Sequence, residues 1–138
     1  MSKALRTYSL SHNQGEALSG LMAAYNTTLN PILQCVWQTT EWKRHQIKGE
    51  KQYRLYPIFR KDNAFRRELR NRHLARWSYA AHWVDSAMKT AFSIMASWKR
   101  NYDKGERRRT CPRAGRLFLR VKQTLLKLEG DTLRITVK

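Results

Sequence analysis

Residues 74–98, LARWSYAAHWVDSAMKTAFSIMASW, decide how this chain folds. Leu74, Trp77, Ala81, Val84, Met88, Ala91, Met95 and Trp98 step alternately by three and four, which lines them along one face of an α-helix. A helix over the whole stretch would run roughly 37 Å at about 1.5 Å per residue, so one helix crosses a small domain and the rest packs against it. Small Ala81 and Ala91 alternate with bulky Trp77, Met88 and Trp98, a stripe into which a partner helix can interdigitate. Core packing is the first role expected of these aromatics and methionines.

Outward from that stripe, the charge balance sets the partner class. The 138 residues suit one domain, and 41% hydrophobic residues can bury a real core. Lysine and arginine total 28 against ten acidic residues, and the resulting +18 repels itself in a compact body unless a polyanion is near. Nucleic acid is that polyanion by expectation. Anionic membrane is the rival, but the sequence has no apolar run of the ~18 residues a span needs. The start, MSKALRTYSL, lacks a signal-peptide pattern, which implies a cytoplasmic protein.

Catalytic and metal chemistry find little footing. Cys35 and Cys111 stand far apart and His12, His45, His73 and His82 are scattered, so the short ligand spacings of a zinc site are missing and no metal or cofactor is expected. The carboxylates fall in caps, turns and arginine-rich surroundings instead of converging as two-metal nuclease chemistry requires. Asp85 alone lies between large apolar neighbours. No nucleophile–base set or glycine-rich phosphate loop is recognisable, so the chain is expected to be non-catalytic.

In chain order, residues 3–10 read as a short strand. Asn13 and Glu16 then have capping-box spacing, opening a helix with Leu18, Leu21, Met22, Tyr25, Leu29, Ile32, Leu33 and Val36 inward and a kink at Pro31. Residues 39–63 read mostly as connector. Residues 64–76 return to helix with Phe65 and Leu69 inward, running into the long helix or breaking near Asn71. After Trp98 the stripe ends in a basic loop at 99–116. The period then shortens to two: Leu117, Leu119 and Val121 alternate with Phe118, Arg120 and Lys122, and a hairpin turn at Gly130-Asp131 separates Leu128 from Leu133. The fold class expected is α+β: a helical lobe, 13–115, inserted into a small antiparallel β-sheet or partial barrel built from the N-terminal strand at 1–12 and the C-terminal hairpin at 116–138.

Two arginine-rich clusters carry the binding chemistry. The first holds Arg60, Lys61, Arg66, Arg67, Arg70, Arg72 and Arg76. The second holds Lys99, Arg100, Tyr102, Lys104, Arg107, Arg108, Arg109, Arg113, Arg116, Arg120 and Lys122. Arginine suits bidentate phosphate contacts, and Tyr53, Tyr56 and Tyr102 lie where they could stack on unpaired bases. Either cluster alone also reads as a solvated face; together they favour nucleic acid.

Residues 88–138 add a resemblance. AFSIMASWKRNY, the basic turn with RLFLRVK, and LKLEGDTLRITVK resemble the segment preceding the nuclease domain in the TnpB family, transposon-encoded proteins related to type V CRISPR effectors, and its archaeal-looking members in particular. The resemblance implies a wedge at 1–12 and 116–138, a recognition lobe between, and RNA-guided DNA targeting in which guide RNA and target DNA are held here while a RuvC-like domain cuts. That domain and its zinc ribbon would follow Lys138, so no catalytic residue carries over and a separate RuvC-like nuclease half is the implied protein partner. The alternative is a free-standing basic RNA- or DNA-binding architectural protein.

Overall fold

The computed structural model describes residues 15–46, 49, 53–130 and 132–138, so the expected N-terminal strand and the Asn13 cap lie outside the described residues. The order is α1 (Gly15–Gln38), β1 (Glu41–Gln46), β2 (Tyr53–Ile58), α2 (Asn63–Leu74), α3 (His82–Asp103), a 3₁₀ turn (Gln123–Leu125), β3 (Leu126–Glu129) and β4 (Thr132–Ile135). This is the α+β class read from the sequence, carried among the described residues by three α-helices and two separate two-stranded antiparallel sheets. Among the described residues the sheets neither join nor close into a barrel.

α1 and α3 make the core between them. Leu21, Tyr25, Leu29, Ile32, Leu33 and Val36 of α1 meet Trp83, Val84, Ala87, Ala91 and Met95 of α3, and all are essentially sealed from solvent. Pro31 sits inside α1 on its exposed face, and the helix runs on through it. The carbonyl that Pro31 leaves without a donor belongs to exposed Thr27, where water can satisfy it. Phe65 and Leu69 of α2 seal one side, and Leu125 of the 3₁₀ turn seals another.

The long helix is shorter than its stripe suggests. Val84, Met88, Ala91, Met95 and Trp98 are buried as the spacing requires, but α3 starts at His82 and Ala81 is exposed. The chain leaves the helix after Leu74, and the Trp77 indole N–H donates to the Ala80 carbonyl at 2.9 Å, stabilising a turn where helix was expected. Leu74 and Trp77 still pack partly on the core, which is how a break preserved the periodicity. At its other end α3 continues past Trp98 to Asp103, so the basic loop begins later than expected.

Two further expectations are corrected. The connector at 39–63 contains the hairpin β1–β2, with Glu41 opposite Ile58 and Gln46 opposite Tyr53. Residues 117–122 form no strand; they run as irregular chain over the core, with Phe118 packed edge-on to Tyr25 at 5.9 Å and Leu117 exposed. The C-terminal hairpin stands as read, with Leu128 opposite Leu133 and Gly130 at φ 57°, a left-handed value glycine takes without strain. Its far end is tied down: the Trp83 indole donates to Thr136 O at 2.9 Å and the Ala80 N–H to Val137 O at 3.0 Å.

Candidate nucleic-acid interface

The first arginine cluster is organised by α2. Asp62 caps the helix, its carboxylate accepting from the Phe65 N–H at 3.1 Å and from Arg60 Nε at 2.9 Å, and these two donors, Arg60 foremost, hold it below the usual carboxylate range. With Phe65 and Leu69 turned inward, Arg66, Arg67 and Arg70 line an open groove of ≈ 720 Å³ against Met88, Lys89 and Phe92 of α3. Part of this charge is already committed. Arg70 Nε pairs with Asp85 at 2.6 Å, Arg72 with Glu68 at 2.9 Å, and the Arg66 guanidinium lies 4.8 Å from the Phe92 ring centroid. Lys61 and Arg76 are exposed and make no ion pair among the described residues. His73, half-buried on the same helix, is held below its ordinary value by burial first and by Arg72 second.

The second cluster gathers at the C-terminal end of α3. Trp98 stacks on Tyr102 at 4.9 Å and meets Trp37 and Trp42 edge-on, fastening hairpin β1–β2 to the helix end. The Tyr102 hydroxyl donates to Leu55 O at 2.8 Å, and Arg54 donates to Tyr102 O with its guanidinium 5.1 Å from the Tyr102 ring. Tyr102 is therefore built into this joint, with one ring face against Trp98. The loop that follows turns at Gly105, φ 79°, and lays Arg109 5.5 Å from the Trp42 centroid. Farther on, Asn30 of α1 grips Ala114 on both sides: Ala114 N–H donates to Asn30 Oδ1 at 2.8 Å, and Asn30 Nδ2 donates to Ala114 O at 3.2 Å.

Between this loop and α3 lies a pocket of ≈ 390 Å³, walled by Ile94, Ser97, Trp98 and Asn101 and closed by Arg107, Thr110, Cys111, Pro112 and Arg113. Burial pushes the Cys111 thiol up, so it stays protonated at neutral pH. At about 100° per residue, the groove and the pocket fall on nearly opposite flanks of α3, with the buried face between. Arg120 reaches Ser93 Oγ at 3.5 Å, on the side of the α2–α3 groove, and Lys122 two residues on is half-buried.

The charge of the two flanks differs in degree. Among the described residues no carboxylate pairs with Lys99, Arg100, Lys104, Arg107, Arg108, Arg109, Arg113 or Arg116, whereas Arg60, Arg70 and Arg72 of the first cluster are paired and Lys61, Arg66, Arg67 and Arg76 are not. Lys43 and Arg44 on the hairpin are exposed and also without a carboxylate partner among the described residues, while Arg54 is engaged by Tyr102; the sequence reading missed all three because it took their segment as connector. The signal was present in the alternation of Tyr53, Leu55 and Pro57 with Arg54 and Tyr56. No group of three or more His, Cys, Asp or Glu among the described residues could hold a metal, and no helix there is long and apolar enough to cross a membrane.

Fold and surface together define a small, strongly basic α+β protein with an arginine field at one end of its central helix. By sequence comparison the chain belongs to the uncharacterized protein MJ0013 family, whose pattern matches residues 21–136. It is 38% identical over 145 residues to uncharacterized protein MJ0013 of Methanocaldococcus jannaschii, covering 96% of this chain and 88% of that one. It is also 37% identical over 134 residues to the TnpB-like protein MJ1635 of the same organism, covering 96% of this chain but spanning only 30% of that relative's length. The second match relates the chain to TnpB-like sequences. No solved structure matches it.

Proposed function

We propose that this chain is a nucleic-acid-binding module of a TnpB-related, transposon-associated system, holding guide RNA and target DNA in the cytoplasm without cutting. The observation that carries the reading is the unpaired field: eight arginines and lysines at 99–116 with no carboxylate partner among the described residues, with exposed Lys43 and Arg44 on hairpin β1–β2 unpaired as well. Unpaired guanidinium groups on a +18 body gain most from phosphate, because every phosphate they neutralise also releases condensed counterions. The similarity to a TnpB-like protein supports the transposon setting, and the assignment to the portion before the nuclease domain follows the resemblance of residues 88–138. The non-cutting role draws support from four of the eight described carboxylates, since Asp62, Glu68, Asp85 and Glu129 are each engaged by arginine, lysine or a helix cap. Cleavage would then belong to a RuvC-like portion, in the same longer protein or a separate one.

A second reading, a free-standing basic RNA- or DNA-binding protein, draws support from the MJ0013 relative, which this chain covers to 88% of its length. Salt-titrated binding to a structured RNA from the end of the chain's own element, beside an unrelated RNA and a duplex DNA of equal length, separates the two. Selective, steeply salt-dependent binding to the first RNA supports the guide-holding module. Equal binding to all three supports the architectural protein. Cleavage of a matched target by this chain with magnesium would refute the non-cutting role.

A further inference from the structure

We infer that the pocket between α3 and the loop at 107–113 takes one unpaired nucleotide of a nucleic-acid strand, its phosphate on Arg107 and Arg113 and its base against Ile94, Trp98 and Pro112. The inference rests on the nucleic-acid reading above and gives it a specific seat. At ≈ 390 Å³ the pocket falls in the ~300–1,000 Å³ range of small-molecule sites. Its polar groups are uncommitted: among the described residues the side chains of Ser97, Asn101 and Thr110 make no hydrogen bond, and Arg107 and Arg113 make no ion pair. The α2–α3 groove on the other flank is more committed, since Arg70 there is neutralised by Asp85 and Arg66 is laid on Phe92, leaving Arg67 and Lys89 as its unpaired cations.

The donors match an anion and the rest matches a base. Two guanidinium forks suit phosphate oxygens, and the Asn101 amide, with donor and acceptor side by side, suits a base edge. Trp98 is only 5% exposed and shows the pocket a rim, so phosphate supplies most of the affinity. The walls are fixed in advance, because Trp37, Trp42 and Tyr102 pin Trp98, Asn30 clamps the loop at Ala114, and the Thr110 N–H bonds Arg108 O at 2.9 Å. A base inside a duplex is stacked on both faces and paired along its edge, so only an unpaired one can enter.

Cys111 lines the pocket and serves as reporter, with Cys35, outside it, as internal control. The whole chain is alkylated with iodoacetamide, and modification is resolved by site, in the presence of a short single-stranded RNA, the same sequence as duplex, or AMP. The strand is expected to slow Cys111 alkylation about fivefold at roughly four times its Kd, leaving Cys35 unchanged. Ser97→Phe fills the pocket from an exposed helix position without changing charge. It should abolish that protection and weaken strand binding, with the salt slope retained, and Asn101→Ala should weaken protection without filling the space. Strand binding with a steep salt slope but an unprotected Cys111 overturns the pocket and leaves the interface standing. Duplex or AMP protecting as strongly as the strand overturns the assignment to an unpaired nucleotide of a strand. No binding to any RNA at low salt overturns the nucleic-acid reading itself.

Discussion

The Tyr25 phenol lies where α1 meets α3, sharing hydrogen bonds with the Ser86 hydroxyl at 3.1 Å and the Thr90 hydroxyl at 3.0 Å. Ser86 also donates to Arg120 O, so it keeps a partner if the phenol is lost, whereas Thr90 does not. Tyr25→Phe should therefore cost about 1–2 kcal/mol in denaturant unfolding, the penalty of a buried hydroxyl left unpaired. Trp98→Ala removes the hub of the aromatic joint and should cost about 3–5 kcal/mol. Two residues with displaced titrations contribute to the acid response. His73 is depressed in the fold, so the unfolded chain takes up a proton near 6.5 that the fold resists, and stability falls as pH drops below that value. Asp62 is depressed too, so its contribution is complete above the ordinary carboxylate value of 3.8 and is lost as pH falls through its lower folded value. Thermal unfolding from pH 7 to about pH 5 should show a decline that His73→Gln flattens. The buried positions of α3 were legible one by one from their spacing, but the burial of Ser86 and Thr90 was not, because their partner comes from a helix some sixty residues away.

At the scale of elements, hairpin β1–β2 hid itself. EWKRHQ is almost wholly polar, YRLYPI contains a proline, and neither strand buries a clean alternating face. What makes them a hairpin is their attachment to α3 through Trp42, Arg54 and Tyr102, which no local pattern announces. Tyr102→Phe should loosen that attachment and speed hydrogen exchange at the hairpin amides several-fold, with global stability little changed. The break between α2 and α3 was masked for the opposite reason, since Leu74 and Trp77 still pack on the core across a turn and prolong the apparent periodicity. The C-terminal hairpin was legible because its turn residues and alternation agree. For the loop, replacing Arg107, Arg108 and Arg109 together by alanine should weaken RNA binding across sequences. It should also lower the salt slope by up to about one unit for each phosphate the loop no longer neutralises. An unchanged slope would make the loop a solvated connector.

For the whole molecule, charge was the most legible property and its arrangement the least. Composition alone pointed to a polyanion, yet which arginines remain available was decided by tertiary pairing, with Asp85 of α3 taking Arg70 of α2 while Asp103 and Glu106 at the end of α3 form no ion pair among the described residues. The ties from Trp83 to Thr136 and from Ala80 to Val137 hold the last residues at the opening of α3, while the pocket lies at its far end. Trp83 and Asn101 are about 27 Å apart along the helix at about 1.5 Å per residue. A fluorophore attached after Lys138 would thus sit within energy-transfer range of a dye on a bound strand without standing in the strand's way. The same rigid spacing would turn the orientation in which RNA docks into a measurable efficiency.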